Sequence, residues 1–400
     1  MKILYAAGPG NVIETFKYWK KGEDDPSQVA ITYSRQFFDV CATLNATGYV
    51  ITSNPEKKIF KDDNFTIENR PLYLSKQSGI LYYIGQVLYE LNFVLSVLWF
   101  RADLVVGNLT SCFFVLSLLP LLGIPVIPTL HCVLWPKYAE ISKAKRTLWR
   151  LNRRFFSKDC LAILSISEDV NEQVDAITNH QSRPLVNFLP LYHRSEFADI
   201  TLPSQSRSPF HVLFAGRIEG DKGVFDLLEV ARRFQAEGRD DIVFHLCGIG
   251  TQFDLLQEQV KEAGLEALFV LHGYCKKSEM QQMYNLSHVV IVPTRSNFIE
   301  GLNKVVVEGI LANRPVITSS VCPALAYVRE AVVEVPPDDF QAYGDAILKL
   351  QCDRPFYEQK QQSCQSLQEP FYSDSHSWGK ALMSILEKSQ ANGLLLKSVR

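Results

Sequence analysis

Four hundred residues suffice for two or three domains, each burying its own core. Hydrophobic residues at 47% and charged residues at 21% are ordinary for a soluble globular chain, and a net charge of −2 gives no whole-molecule drive toward nucleic acid or an anionic membrane. Nine cysteines without a Cys-x-x-Cys pair lie scattered in apolar segments, which argues for reduced thiols in a cytosol and against a disulfide or zinc framework.

Lys2 to Ala7 predicts a first strand ending in the turn Gly8-Pro9-Gly10-Asn11; it is too short and too glycine-bounded for a signal peptide. The turn lacks a Gly-x-Gly-x-x-Gly fingerprint, so a dinucleotide reading has little support. Lys20 to Gln28 predicts an exposed loop, Arg35 to Leu44 a helix with Phe37, Phe38 and Cys41 inward, and Tyr49 to Thr52 a strand. Ile80 to Phe100 is long and apolar, but Gln86, Glu90 and Asn92 interrupt it, so a helix packed against a sheet is expected rather than a transmembrane span. Cys112 to Leu122 is too short to span, with Pro120 and Gly123 at its end.

Asp103 to Gly107 and Ile124 to Leu130 predict buried strands, the second delivering His131 at its carboxyl end. A lone histidine there is otherwise a structural residue. Residues 137–158 form the one strongly basic segment, with Leu148, Trp149, Phe155 and Phe156 interleaved. Such a helix can lie on anionic lipid or steer a phosphorylated acceptor; the alternative is a solvated face over a buried stripe. Nucleic acid is not favoured, since the aromatics have no RNA-binding spacing. Ala162 to Ile166 predicts a strand, Ser167 a helix N-cap, and Leu185 to Leu189 another strand. The Pro/Ser-rich run at 204–209 marks a linker between a first domain over 1–203 and a second over 210–370.

The second domain alternates strand and helix, which predicts a parallel doubly wound sheet binding ligands outside the carboxyl ends of its strands. Phe210 to Ala215 leads into Gly216-Arg217-Ile218-Glu219-Gly220-Asp221-Lys222-Gly223; the two cations on this turn suit a phosphate leaving group. Ile242 to Cys247 leads into Gly248-Ile249-Gly250. His288 to Val292 leads into a loop with Glu300 and Gly301, then a helix expected from about Leu302 to Ala312, stopped by Pro315. That places Glu300 at the loop mouth, Glu308 two turns along the helix, and the amides of Gly301, Leu302 and Asn303 at its N-terminus as an anion cradle.

Gly216-Arg217 with Lys222-Gly223, Gly248 with Gly250, and Glu300 with Glu308 before Arg314-Pro315-Val316-Ile317 resemble glycosyltransferase family 4, closely over about 208–335. The resemblance implies the GT-B fold, two Rossmann-like doubly wound parallel-sheet domains facing a cleft, with a helix at 371–390 crossing back to the first domain. It implies a retaining, metal-independent hexosyltransferase-type enzyme taking a nucleoside diphosphate sugar as co-substrate, with no cofactor. By the same resemblance Arg217 and Lys222 stabilise the departing diphosphate, Glu300 holds sugar hydroxyls, and Glu308 accepts from the ribose. Tyr274 lies near the base, and Gly8 and Gly10 meet the donor phosphates, although this turn departs from the family's usual glycine pair. Thr129-x-His131 matches a motif whose histidine orients the sugar, but Cys132 stands where the family often has Asp. No Asp-x-Asp occurs to clamp a metal. The acceptor implied is a glycan or glycolipid, in cell-surface polysaccharide or glycolipid synthesis. With the basic segment it suggests a cytoplasmic enzyme touching the inner membrane face through 137–158, with no nucleic-acid partner. A sugar-nucleotide epimerase on the same fold and a non-catalytic nucleotide-sugar-binding protein are the alternatives. The donor base, sugar, acceptor and oligomeric state are not legible in the sequence.

Overall fold

The computed structural model describes residues 1–204 and 206–391; Gln205, within the expected linker, lies outside them. Chain contacts divide the protein into two units. Among the described residues the first takes 1–131, 141–191 and 374–391; the second takes 132–140 and 192–373.

In the first unit, strand β1 (Lys2–Ala7) runs parallel to β2 (Thr47–Thr52) and, on its other side, to Leu104–Gly107. Helices α1 (Val12–Lys21) and α2 (Tyr33–Thr43) connect β1 to β2. A hairpin of β3 (Lys58–Asp62) and β4 (Phe65–Asn69) extends one edge, with β3 antiparallel. Helix α3 (Gly79–Phe100) leads to β5 (Leu104–Gly107), the second neighbour of β1. The order is β3-β4-β2-β1-β5-β6, where β6 is Val126–Ile127. β1, β2 and β5 are apolar runs buried almost throughout, as strands covered on both faces must be.

The single strand expected over Ile124 to Leu130 is instead two. Pro128 has no N–H to give a ladder, and the chain leaves the first sheet there. Strand β7 (Thr129–Leu130) joins β8 (Ile163–Ser165) and β9 (Leu185–Asn187) in a separate parallel sheet. Between β5 and β8 stand the short helices α4 (Phe113–Leu116) and α5 (Leu118–Leu121) and the basic α6 (Lys143–Arg154), which runs on into a π-helical turn over Phe155–Asp159. Asn152, fully buried on α6, pins the helix down: its Oδ1 accepts from Phe114 N–H at 3.0 Å and its Nδ2 donates to Ser111 C=O at 2.8 Å. Ser167 caps α7 (Glu168–Thr178), accepting from Val170 N–H at 3.4 Å.

The second unit is one six-stranded parallel sheet. β10 (Phe210–Ala215), β11 (Ile242–Cys247) and β12 (Phe269–Gly273) step to one side; β13 (Val289–Val292), β14 (Val316–Ser319) and β15 (Val332–Val335) step to the other. The order β12-β11-β10-β13-β14-β15 puts a topological switch point between β10 and β13. Helices α8 (Val224–Ala236), α9 (Phe253–Glu262), α10 (Lys277–Leu286), α11 (Lys304–Leu311), α12 (Phe340–Cys352) and α13 (Arg354–Ser366) connect or follow the strands. The core is built from Val212, Phe214, Leu227, Phe244, Ile291 and Ile317 with their neighbours.

Four histidines run across this sheet. His211 Nδ1 lies 2.9 Å from His245 Nε2, and His245 Nδ1 lies 3.0 Å from His272 Nε2. His288 Nδ1 accepts from His211 N–H at 3.0 Å, which leaves its Nε2 to donate to Ser206 C=O at 2.9 Å. The Pro/Ser-rich run is therefore strapped to the second unit, where Arg207 also donates to Leu350 C=O at 2.9 Å and stacks 4.1 Å over the Tyr357 ring.

Buried Arg314 organises the region just before that run. It donates to the carbonyls of Tyr284, Ala312 and Thr201 at 2.7–2.8 Å, so residues 192–203 pack with the second unit. The last helix, α14 (Trp378–Ala391), belongs to the first unit. Trp378 is fully buried there, 5.4 Å from the Tyr5 ring, and Gly379 N–H donates to Gln36 Oε1 at 2.9 Å.

Candidate active site

The loops after β10 and β13 meet at the switch point of the second sheet. Gly223, with φ +74°, ends the first loop where a Cβ would stand 2.0 Å from Pro293 C=O, so only glycine fits. Arg295 N–H donates to Asp221 C=O at 3.0 Å across the same seam. There Lys222 Nζ donates to Glu300 Oε2 at 3.0 Å, with both side chains largely buried. The Lys222 ammonium also sits 3.7 Å over the Phe298 ring, a cation–π contact.

Glu300 is held from several directions. Besides Lys222, its Oε2 accepts from Thr294 Oγ1 at 3.2 Å and Asn303 Nδ2 at 2.9 Å; its Oε1 accepts from Gly301 N–H at 3.1 Å. Its carbonyl accepts from Val133 N–H at 3.1 Å, in the 132–140 segment that packs with this unit, and Tyr138 Oη of that segment donates to Ser320 Oγ at 2.6 Å. The carboxylate is thus fixed in orientation before any ligand arrives.

The amide cradle expected at Gly301, Leu302 and Asn303 is not formed as described. Asn303 takes φ +62°, outside the helical region, so α11 begins at Lys304. Gly301 N–H is occupied by Glu300, Leu302 is buried, and Asn303 contributes its side chain to Glu300. The glycine and asparagine are spent on holding the carboxylate rather than on cradling an anion. The later start also puts Glu308 just over one turn into α11 rather than two.

Glu308 accepts from Tyr284 Oη at 3.2 Å and Tyr192 Oη at 3.4 Å. Burial pushes its carboxyl up to about 7, against the pull of Lys304 one turn before it. Neither tyrosine stands out in the sequence. Thr294 was likewise without signal.

Arg217 is exposed on the loop after β10, and its side chain makes no hydrogen bond or ion pair among the described residues. The neighbouring glycines serve loop packing. A Cβ at Gly248 would stand 1.7 Å from Gly216 C=O, and one at Gly250 2.2 Å from Ile218 C=O. Gly216 N–H donates to Cys247 C=O at 2.9 Å and Gly248 N–H to Gly273 C=O at 2.7 Å, stitching the loops after β10, β11 and β12 together. Tyr274, next to Gly273, is 62% exposed at the end of that row.

Arg217, Lys222, Gly216, Gly248, Gly250, Tyr274, Glu300, Gly301, Leu302, Asn303 and Glu308 thus share the carboxyl edge of one sheet. Gly8, Gly10 and His131 belong to the first unit. Gly8 and Gly10 are exposed after β1 with open space where a side chain would project. The His131 ring packs 4.5 Å from Tyr33 and 5.5 Å from Phe188.

Residues 203–365 match the family model described as Glycosyl transferases group 1. The alpha-D-kanosaminyltransferase of Streptomyces kanamyceticus is 26% identical over 164 residues, 40% of this chain; the chain spans 42% of that protein's length. Among solved structures, Anabaena HepE in complex with UDP superposes with a TM-score of 0.65 at 15% identity, over 98% of this chain and all of that one. Sucrose-phosphate synthase from Thermosynechococcus elongatus gives 0.66 at 15% identity over the full length of both. The two doubly wound units are therefore the GT-B fold, and residues 203–365 are similar to the glycosyl transferases group 1 family.

Proposed function

We propose that this protein transfers a sugar from a nucleoside diphosphate sugar to an acceptor hydroxyl, with retention at the anomeric carbon and without a metal ion. The observation that carries this reading is the Lys222–Glu300 pair at the switch point, with Arg217 exposed on the same loop and Glu308 on the helix behind. Cations and carboxylates in that order suit a ligand bearing phosphates at one end of a polyhydroxyl group.

In this reading Arg217 and Lys222 take the negative charge that grows on the diphosphate as its bond to the anomeric carbon breaks. Glu300 accepts from sugar hydroxyls, Glu308 from the ribose, and Tyr274 lies toward the base. The acceptor oxygen bonds to the same face of the anomeric carbon, and its proton passes to the departing diphosphate. Among the described residues, no group of three or more His, Cys, Asp or Glu side chains is placed to hold a metal. The roles of His131, Gly8 and Gly10 rest on the resemblance of their motifs. HepE was solved with UDP, which makes uridine diphosphate sugars the first donors to try. A glycan or glycolipid acceptor at the cytoplasmic membrane face fits the cations of 137–158, which would meet anionic headgroups.

The test begins with thermal shift against UDP, GDP, ADP, TDP and CMP, followed by product analysis with chelator present and the anomeric configuration read by NMR. Lys222→Met and Glu300→Gln should each lower turnover on the order of 10²–10³ while the protein stays folded. Full turnover in both variants, or an inverted product, would sink the mechanism. Binding without turnover for any acceptor class would favour a nucleotide-sugar-binding protein.

A further inference from the structure

Helix α3 is apolar on both sides. Tyr89, Phe93 and Val97 on its inner face are fully buried, and Glu90 beside them accepts from Thr110 N–H at 2.7 Å. Its outer face carries Ile80, Ile84, Leu88, Leu91, Leu95 and Trp99, all between 40% and 76% exposed. At 3.6 residues per turn these fall on one stripe along all 22 residues, roughly 33 Å. The helix contains no Lys, Arg or Asp, and its only Glu is the buried Glu90. Soluble surfaces seldom carry so long a contiguous apolar patch without covering it.

Further apolar residues are exposed at Leu118, Leu121 and Leu122, by 43–69%, on or next to α5, which packs on α4. Helix α4 packs against both α3 and α6, so the basic helix stands alongside. On α6, Lys143, Arg146, Arg150 and Arg153 are exposed and form no ion pair among the described residues, and Leu151 among them is 54% exposed. An uncharged apolar stripe with exposed cations on a helix one element away complements a surface that is apolar within and negative at its rim. That surface is an anionic bilayer. A second copy of the chain would present the same cations instead of counter-charges.

We propose that α3 is an interfacial membrane anchor, its outer stripe sunk into the headgroup–acyl boundary while α6 contacts anionic headgroups. The helix lies on the membrane and does not cross it, because its inner face is part of the first unit's core. This rests on the headgroup contact proposed for 137–158 and adds insertion to it.

The full chain is floated with vesicles of phosphatidylcholine alone and of phosphatidylcholine with phosphatidylglycerol, at low and high salt. Wild type should bind the anionic vesicles, and Arg150→Glu with Arg153→Glu should remove the salt-sensitive part. Ile84→Glu, Leu88→Glu or Leu95→Glu should weaken partition by about tenfold or more, since each loses buried apolar area and drives a charge into the interface. Melting temperature and nucleotide-induced shift should stay at wild-type values, which separates loss of the anchor from loss of the fold or the donor site. Acyl-chain-brominated lipid should quench tryptophan fluorescence in wild type, and less in Trp99→Phe. Unchanged flotation of the α3 variants, or quenching independent of Trp99, overturns insertion while leaving headgroup contact standing. A lipid-free dimer dissolved by the α3 variants overturns it in favour of a second copy. No binding of wild type to anionic vesicles overturns both.

Discussion

Tyr284 Oη donates to Glu308 Oε2 at 3.2 Å, reaching from α10 to α11, and that bond helps hold the charge of a carboxylate that burial lifts to about 7. A raised carboxyl makes the folded state bind its proton more tightly than the unfolded one. This group's contribution to stability is therefore full below its ordinary pKa and lost as pH rises through 7. Under the proposed function donor binding runs the other way, because ribose hydroxyls would donate best to the charged form of Glu308. Nucleotide affinity should rise from pH 6 to pH 8 and flatten in Glu308→Gln. Tyr284→Phe removes one donor to the charged form and should move the rise to higher pH, with about a tenfold loss at pH 7. Calorimetric titration across pH checks it.

Acid should unfold the second unit early. Burial holds His245 and His288 near 4, and His211 and His272 are lowered as well. Below about 6.5 the unfolded chain binds protons that these rings refuse in the fold, so stability is lost as pH falls from 6.5 toward 4. His245→Gln should remove on the order of 2 kcal/mol of that pH dependence, since His245 and His288 are the rings with the most lowered pKa. Denaturant melts at pH 7.5 and pH 5 give the comparison.

Two glycine positions should behave oppositely to alanine. At Gly250 the added methyl meets the Ile218 carbonyl, so Gly250→Ala should displace the loop, lower the melting temperature and weaken nucleotide binding together. At Gly10 nothing stands within 4 Å, so Gly10→Ala should leave the fold intact. A fall in donor affinity there without a change in melting temperature would show that the turn touches the donor.

Arg314 is buried among carbonyls alone, and burial brings its guanidinium down to about 10. Arg314→Met should cost about 3 kcal/mol or more, because several buried acceptors lose their donor at once. Lysine should recover part of this, lacking the planar fork that reaches several carbonyls together. Urea unfolding of both variants measures the difference.

Strand identities in the second unit were legible because buried parallel strands are uninterrupted apolar runs: Phe210–Ala215 and Ile242–Cys247 read from sequence as they stand in the fold. Glu300 and Lys222 stood out for the same reason, being polar residues at the ends of such runs. What failed was local backbone detail. Nothing in Gly301-Leu302-Asn303 announces that Asn303 turns left-handed and delays α11. The tyrosines on Glu308 come from positions 24 and 116 residues away in the chain, a proximity that periodicity does not encode. Proline 128 was the one missed signal that was there to be read. The outer stripe of α3 was visible only as apolar content; which side faced out required the packing.

The chain passes between the two units four times, after residues 131, 140, 191 and 373. No single scission therefore yields two self-sufficient halves. A fragment ending near residue 203 would leave the Tyr5 side of the first unit without Trp378, its largest plug, while keeping 132–140, which packs with the other half. Chimeras that exchange the second unit among relatives should graft 192–373 as an insertion, with both ends of the host chain, including its C-terminal helix, retained.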